Sequence, residues 1–187
     1  MTIHLIRHGR TEANLKKLYC GHTDIPLTAY GVEELNRLRE AGIYPRSDMF
    51  VTSGLRRASQ TLEIIYKTPE YCIIKALMEY NFGFFEMKSY EELRGNPDYI
   101  SWINGGPCPG GESRDGFRER VLTGWEQLVE KAKDGLSTSA VCHGGVIVTI
   151  MEELFPGGRD FYEWQPGYGR GYAIWIRENE PPEYTSI

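Results

Sequence analysis

Two short segments place a histidine where an apolar run gives out. Ile3 to Arg7 leads into His8-Gly9, and Ser139 to Cys142 leads into His143-Gly144-Gly145. A neutral imidazole is a competent nucleophile near physiological pH, because its ordinary pKa is about 6.5. Arg7 adjoins His8, and Arg57 falls in the first turn of a helical pattern, where backbone N–H groups and the helix dipole also favour an anion. His143 repeats that arrangement, with Gly144 and Gly145 behind it to admit close backbone approach. Phosphoryl transfer from a monoester needs a nucleophile, cationic donors around the equatorial oxygens and an acid for the departing oxygen. His8, with Arg7, Arg57 and His143, can supply the first two.

Each residue taken singly has a plainer reading. A histidine at a strand end is ordinarily a satisfied polar group, and Arg56 fits a solvated helix face. Two histidines and two arginines at matching sheet edges reverse that judgement for His8, His143, Arg7 and Arg57. His4, inside the first strand, and His22, in the following loop, read as packing or solvent-facing residues. Neither Cys20-x-His22 nor Cys142-His143 has zinc-ligand spacing, and there is no carboxylate cluster for a hard cation, so no metal or cofactor is expected. Gly167-x-Gly169-x-Gly171 precedes a strand instead of opening a helix, which argues against a dinucleotide site.

These residues need a scaffold, and the apolar patterning supplies one. Strands are predicted at Ile3 to Arg7, Met49 to Thr52, Cys72 to Ile74, Ser139 to Cys142 and Tyr172 to Ile176. Between them, Thr28 can cap a helix carrying Val32, Leu35 and Leu38, with Leu27 as a staple onto Val32. Ser53 can cap a second, with Leu55, Ala58, Leu62 and Ile65 at helical spacing. A third carries Phe117, Val121, Trp125, Leu128 and Ala132, and a fourth runs from Val146 to Leu154. The stretch 82–111, rich in aromatics, Gly and Pro, reads as a covering insert. Such alternation predicts a three-layer α/β/α sandwich with a mostly parallel central sheet, its site at the carboxyl ends of the strands.

The chain has 187 residues, enough for one sizeable core but short for two, so a single domain over 1–187 is expected. With 26 acidic against 21 basic residues, nothing draws it to nucleic acid or anionic lipid, and any anion it binds must meet a local cationic cluster. No stretch is apolar and long enough to span a membrane, and the N-terminus lacks a basic leader. The four cysteines are widely scattered, which suggests free thiols and a cytoplasmic location.

Arg7-His8-Gly9-Arg10-Thr11-Glu12-Ala13-Asn14 resembles the histidine phosphatase superfamily, which includes cofactor-dependent phosphoglycerate mutases and α-ribazole phosphatases. The resemblance continues in order through Gly21 to Thr28 with Gly31, Thr52 to Thr61, Leu77-Met78-Glu79 with Phe82-Gly83 and Glu86, Pro109 to Ser113, and Cys142 to Gly145. It implies a phosphoglycerate mutase-like fold and a small-molecule phosphomonoester as substrate. It assigns Arg7, Arg57, His143 and Gly144 to the phosphate, Asn14 to a supporting contact, and Glu79 to the proton donor. Arg10, Gly54, Phe85-Glu86-Met87 and Cys142 depart from the family's frequent residues. No departure removes a catalytic group, but Arg10 and the Phe84-Phe85 pair could face the pocket mouth and bear on specificity.

Three functions follow from that resemblance. Hydrolysis of the phosphoryl-enzyme is favoured, with the Pro-Gly-Gly-Glu-Ser stretch and Trp102 most like the α-ribazole phosphatases. A mutase of this family is longer and ends in a basic tail, whereas Glu178 to Tyr184 is acidic. A non-catalytic phospho-ligand sensor would lack a catalytic His or the acid, and both are present here.

Overall fold

Successive residues of the first strand enter opposite layers of the protein. In the computed structural model, which describes residues 1–68, 70–132, 136–157 and 159–187, β1 spans Thr2–Arg7. Its Ile3 and Leu5 join one buried cluster and Ile6 another. After β1 come α1 (Glu12–Leu15), α2 (Ala29–Glu40), β2 (Met49–Thr52), α3 (Arg56–Tyr66) and β3 (Cys72–Ile73). Then follow α4 (Tyr90–Leu93), α5 (Pro97–Ile103), α6 (Arg114–Lys131), β4 (Ser137–Cys142), α7 (Gly144–Leu154), α8 (Phe161–Trp164), β5 (Gly171–Trp175) and β6 (Glu183–Ser186). In β4, Ala140 and Cys142 go with Ile3 while Val141 goes with Ile6, and in β2 Val51 and Phe50 divide the same way. Period-two alternation between two apolar layers is what a strand covered on both faces requires.

The six strands form one sheet in the order β3-β2-β4-β1-β5-β6. The first four are mutually parallel, and β5 runs antiparallel to β1. Leu35 of α2 and Ala58, Leu62 and Ile65 of α3 cover one face. Phe117, Val121 and Leu128 of α6 with Val146, Ile147 and Ile150 of α7 cover the other. The protein is therefore α/β, with a mostly parallel sheet between helices. Register pairs Arg7 with Cys142 and Thr52 with Val141, so β1, β4 and β2 run out side by side and release Arg7-His8, His143 and Ser53 along one edge.

Thr28 caps α2 as expected, accepting from Gly31 N–H at 3.0 Å. Ser113 likewise caps α6, accepting from Gly116 N–H at 3.0 Å. Ser53 does not cap α3. That helix starts at Arg56 with no side-chain cap of its own, and the Asp24 carboxylate accepts Arg56 N–H instead, at 2.6 Å. The long loop after β1 contains α1, closed by a capping box between Thr11 and Asn14. The last strand pairs one residue earlier than the apolar pattern predicts. A further strand, β6, follows it, and the pattern misses it because only Tyr184 is apolar there, packing at 4.6 Å on Phe155 and 5.2 Å on Trp164.

The stretch 82–111 packs inward. Phe85 and Tyr99 are each 2% exposed and join the larger cluster, with Phe82 and Trp102 against it. Phe84 and Phe85 therefore do not act as a pair at the pocket mouth. Phe85 is in the core, whereas Phe84 is exposed and lies over Gly110.

Candidate active site

His8 continues the β1 ladder by one bond, its N–H donating to Cys142 O at 3.0 Å. Its Nδ1 lies 2.7 Å from the Gly9 carbonyl. A carbonyl can only accept, so Nδ1 carries a hydrogen, and in the neutral ring Nε2 then keeps its lone pair. Burial pushes the imidazole pKa well below its ordinary value, and the Arg57 and Arg7 guanidiniums push it further. His8 is thus neutral at physiological pH. The His143 ring lies 5.2 Å from it, fully buried, its pKa also lowered by burial, then by Arg57, His8 and Arg7.

Arg57, 1% exposed, sits in the first turn of α3 and donates from Nη1 to Thr23 O at 3.0 Å and from Nη2 to Gly21 O at 2.6 Å. Arg7 donates from Nη1 to Pro166 O at 2.8 Å, and its guanidinium lies 4.1 Å from the Tyr168 ring centre. Burial lowers the Arg7 pKa, but a guanidinium stays charged. Arg7 Nε, Arg57 Nε and His143 Nδ1 are all buried with no partner in the protein. Three such nitrogens at one sheet edge are therefore available to an anion.

Glu79 stands across α7. Its Oε2 accepts from Gly145 N–H at 3.0 Å and its Oε1 from Tyr80 N–H at 2.9 Å, leaving each oxygen a second lone-pair position. A Cβ on Gly145 would lie 2.5 Å from Glu79 Oε1, so only glycine admits the carboxylate here. Arg120 holds the segment behind it, donating to the carbonyls of Ala76, Met78 and Glu79 at 2.9, 2.8 and 3.2 Å. Gly144 opens α7 beside Arg7, where a Cβ would meet the guanidinium at 3.3 Å.

The structure thus gathers His8, His143, Arg7, Arg57 and Gly144, with Glu79 beside them. Asn14 is tied into its own turn, Oδ1 accepting from the Thr11 N–H and hydroxyl, both at 2.9 Å, so its amide nitrogen is the end able to donate. His4 is a packing residue, bonded to Ser47 at 3.0 Å and Ser139 at 3.1 Å. His22 is half-buried, with an unpartnered Nε2. Arg10 is drawn aside, paired with Glu34 at 3.0 Å and stacked 4.5 Å from Tyr168.

Sequence reasoning missed Ser53 as a partner of His143 and Tyr168 as a platform for Arg7 and Arg10. Ser53 reads in the sequence only as a helix-start residue, and nothing in the glycine-rich run marks Tyr168. Also missed was a cavity of about 920 Å³ beside Glu79 and Gly145, walled by Tyr19, Tyr80, Phe82, Tyr99, Trp102 and Phe117. Among the described residues, no group of three or more His, Cys, Asp or Glu could hold a metal ion, and no helix is long and apolar enough to cross a membrane.

A mostly parallel sheet sandwiched by helices, with paired histidines and arginines at its carboxyl edge, defines an α/β protein of the phosphoglycerate mutase-like class. The chain belongs to the histidine phosphatase superfamily (branch 1), whose pattern matches residues 3–170, and is an enzyme of the histidine phosphatase type. It is 34% identical over 161 residues to the adenosylcobalamin/α-ribazole phosphatase of Escherichia coli strain K12, covering 82% of this chain and 79% of that one. It is 33% identical over 163 residues to the 2,3-bisphosphoglycerate-dependent phosphoglycerate mutase of Cytophaga hutchinsonii, covering 80% of this chain and 75% of the mutase. The crystal structure of the α-ribazole phosphatase from Shigella flexneri superposes with a TM-score of 0.83 at 29% identity, covering 95% of this chain and 92% of that one.

Proposed function

We propose that this chain is a metal-independent phosphomonoesterase that works through a phosphohistidine on His8. One observation carries the reading: the hydrogen bond from Nδ1 to Gly9 O, at 2.7 Å, leaves Nε2 of the neutral ring with its lone pair, beside two guanidiniums whose Nε groups are buried and unpartnered. Nε2 attacks phosphorus as the bond to the leaving oxygen breaks, and Glu79 in its acid form gives that oxygen a proton. Positive charge on the phosphorylated ring is eased by the Gly9 carbonyl. Arg7, Arg57, His143 and the N-terminus of α7 at Gly144 receive the equatorial oxygens, with the Asn14 amide in support. Glu79, now a carboxylate, takes a proton from water as the water oxygen attacks phosphorus. The P–N bond breaks, its electron pair returns to Nε2, and inorganic phosphate leaves.

The aromatic cavity beside Glu79 would hold the alcohol part of the substrate. Nine aromatic side chains along its wall favour a small metabolite with a flat, apolar body, for which α-ribazole phosphate is the candidate. The chain works as a single domain over 1–187, with 82–111 as its cover. Four unpaired thiols suit a cytoplasmic enzyme. The likeness to a phosphoglycerate mutase supports a second reading, transfer of the phosphoryl group to another hydroxyl. Against it, the two arginines on the cavity wall are already engaged by the protein, Arg118 in an ion pair with Glu153 and Arg114 as a donor to the Trp102 and Ile103 carbonyls.

The test is a panel of phosphomonoesters ranked by kcat/KM, including α-ribazole phosphate, phosphoglycerates and sugar phosphates, with and without EDTA. Release of inorganic phosphate, fastest from the aromatic substrates and indifferent to chelator, is expected. Interconversion of phosphoglycerates without phosphate release would establish the mutase, and loss of turnover in EDTA restored by Mg²⁺ would overturn the metal-independent site.

A further inference from the structure

Glu86 faces the protein, not the cavity. Its carboxylate accepts from Gly21 N–H at 3.0 and 3.1 Å, His22 N–H at 2.9 Å, Thr23 N–H at 3.2 Å, the Thr23 hydroxyl at 2.6 Å and Phe82 N–H at 3.2 Å. The same loop turns its carbonyls the other way, and Gly21 O and Thr23 O take the two Nη groups of Arg57. Asp24, next along, accepts the N–H of Arg56 and so fixes the start of α3. Gly21 has no room for a side chain: a Cβ would lie 1.7 Å from Tyr80 O. The loop that aims Arg57 is therefore locked against the segment that carries Glu79. Burial acts to raise the Glu86 pKa, but the Thr23 hydroxyl and the N–H groups of His22, Gly21 and Phe82 hold it below the ordinary carboxylate value.

We infer that Glu86 is a positioning residue for phosphoryl binding: its carboxylate gathers the N–H groups of Gly21, His22 and Thr23 and so fixes the two carbonyls that aim Arg57, without touching the substrate. The inference rests on the reading above that Arg57 binds the phosphoryl group. Only an ionised carboxylate suits the task. It accepts at about four lone-pair positions and donates nothing, whereas an amide would set its own N–H groups against those of the loop. With all its oxygens engaged by the loop, Glu86 is also not placed to exchange a proton with a leaving group.

Coupling between two residues that do not bond each other is the quantity to measure, with vanadate, a mimic of pentacoordinate phosphorus, as the probe. Inhibition constants are compared for the wild type, Glu86→Gln, Arg57→Met and the double variant. Glu86→Gln is expected to weaken vanadate about tenfold and to lower kcat/KM equally for aryl and alkyl phosphates, while in the Arg57→Met background it changes the constant by less than about twofold. Independent effects in the two backgrounds, or a lowered melting temperature with an unchanged vanadate constant, would overturn the inference. So would a loss confined to alkyl phosphates, which would make Glu86 an acid. If Glu86→Gln fails to fold, Thr23→Val removes only the hydroxyl donor and should show the same coupling at about threefold. Arg57→Met alone tests the underlying reading: unchanged vanadate affinity in that variant would defeat both.

Discussion

The Ser53 hydroxyl lies 2.8 Å from Nε2 of His143, with both side chains fully buried. Leu55 N–H donates to that hydroxyl oxygen at 3.3 Å, and the buried hydroxyl's own proton is satisfied when it is donated to the imidazole. A neutral His143 that accepts at Nε2 carries its hydrogen on Nδ1, the nitrogen with no partner in the protein. That tautomer offers a phosphoryl oxygen an N–H, and the other would offer it a lone pair. Ser53→Ala should therefore free the tautomer, lowering kcat/KM about tenfold and stability by about 1 kcal/mol. Nitrogen-15 spectra of His143 should show a protonated Nδ1 in the wild type and a mixture in the variant. A protonated Nε2 in the wild type would refute the assignment.

His8→Ala should lose nearly all turnover. Rapid quench of the wild type in alkali, followed by peptide mapping, should place an acid-labile, base-stable phosphoryl group on His8. Label on His143, or none with a good substrate, would remove His8 from the nucleophile's role.

Glu79→Gln should discriminate between leaving groups. An alkoxide needs its proton, so alkyl phosphates should slow by about a hundredfold or more. p-Nitrophenolate needs little help, and its transfer to His8 should suffer far less. Dephosphorylation would still lack its base, giving a burst of p-nitrophenol and then a slow steady state. Equal loss for both substrate types in single turnovers would count against Glu79.

Acid should destabilise the fold through its buried histidines. Burial lowers the His4 pKa from 6.5 to about 4. Between those values the unfolded chain holds a proton at His4 that the folded chain does not, so the unfolded state binds more protons and stability falls as the pH drops through this window. The loss from His4 is on the order of 3 kcal/mol, and His8 and His143 act in the same direction. Urea unfolding at pH 7 and pH 4.5 should show the decline, with a shallower one in His4→Asn. Identical declines in the two proteins would show that His4 does not contribute.

Much of this protein is legible along the chain because its signals are local. Strand alternation at Ile3 to Arg7, helical spacing from Leu55 to Ile65 and the cap at Thr28 depend on near neighbours, whose geometry the backbone imposes. Those signals put His8, Arg57 and His143 at strand ends or helix starts, and the parallel order of β2, β4 and β1 brought them to one edge. Tertiary structure alone decided what each polar group bonds to. Ser53 has the composition of a helix cap, yet its hydroxyl went to a histidine 90 residues away, while Asp24 took over the helix start. Phe84 and Phe85 are the same residue type in neighbouring positions, and a 3₁₀ turn sent one into the core and the other into solvent. Glu86 looked like one more carboxylate until the fold surrounded it with N–H donors from a loop more than 60 residues earlier. Periodicity records which face a side chain takes, but a hydrogen-bond partner is a distance between remote parts of the chain, and that distance exists only once the sheet has closed.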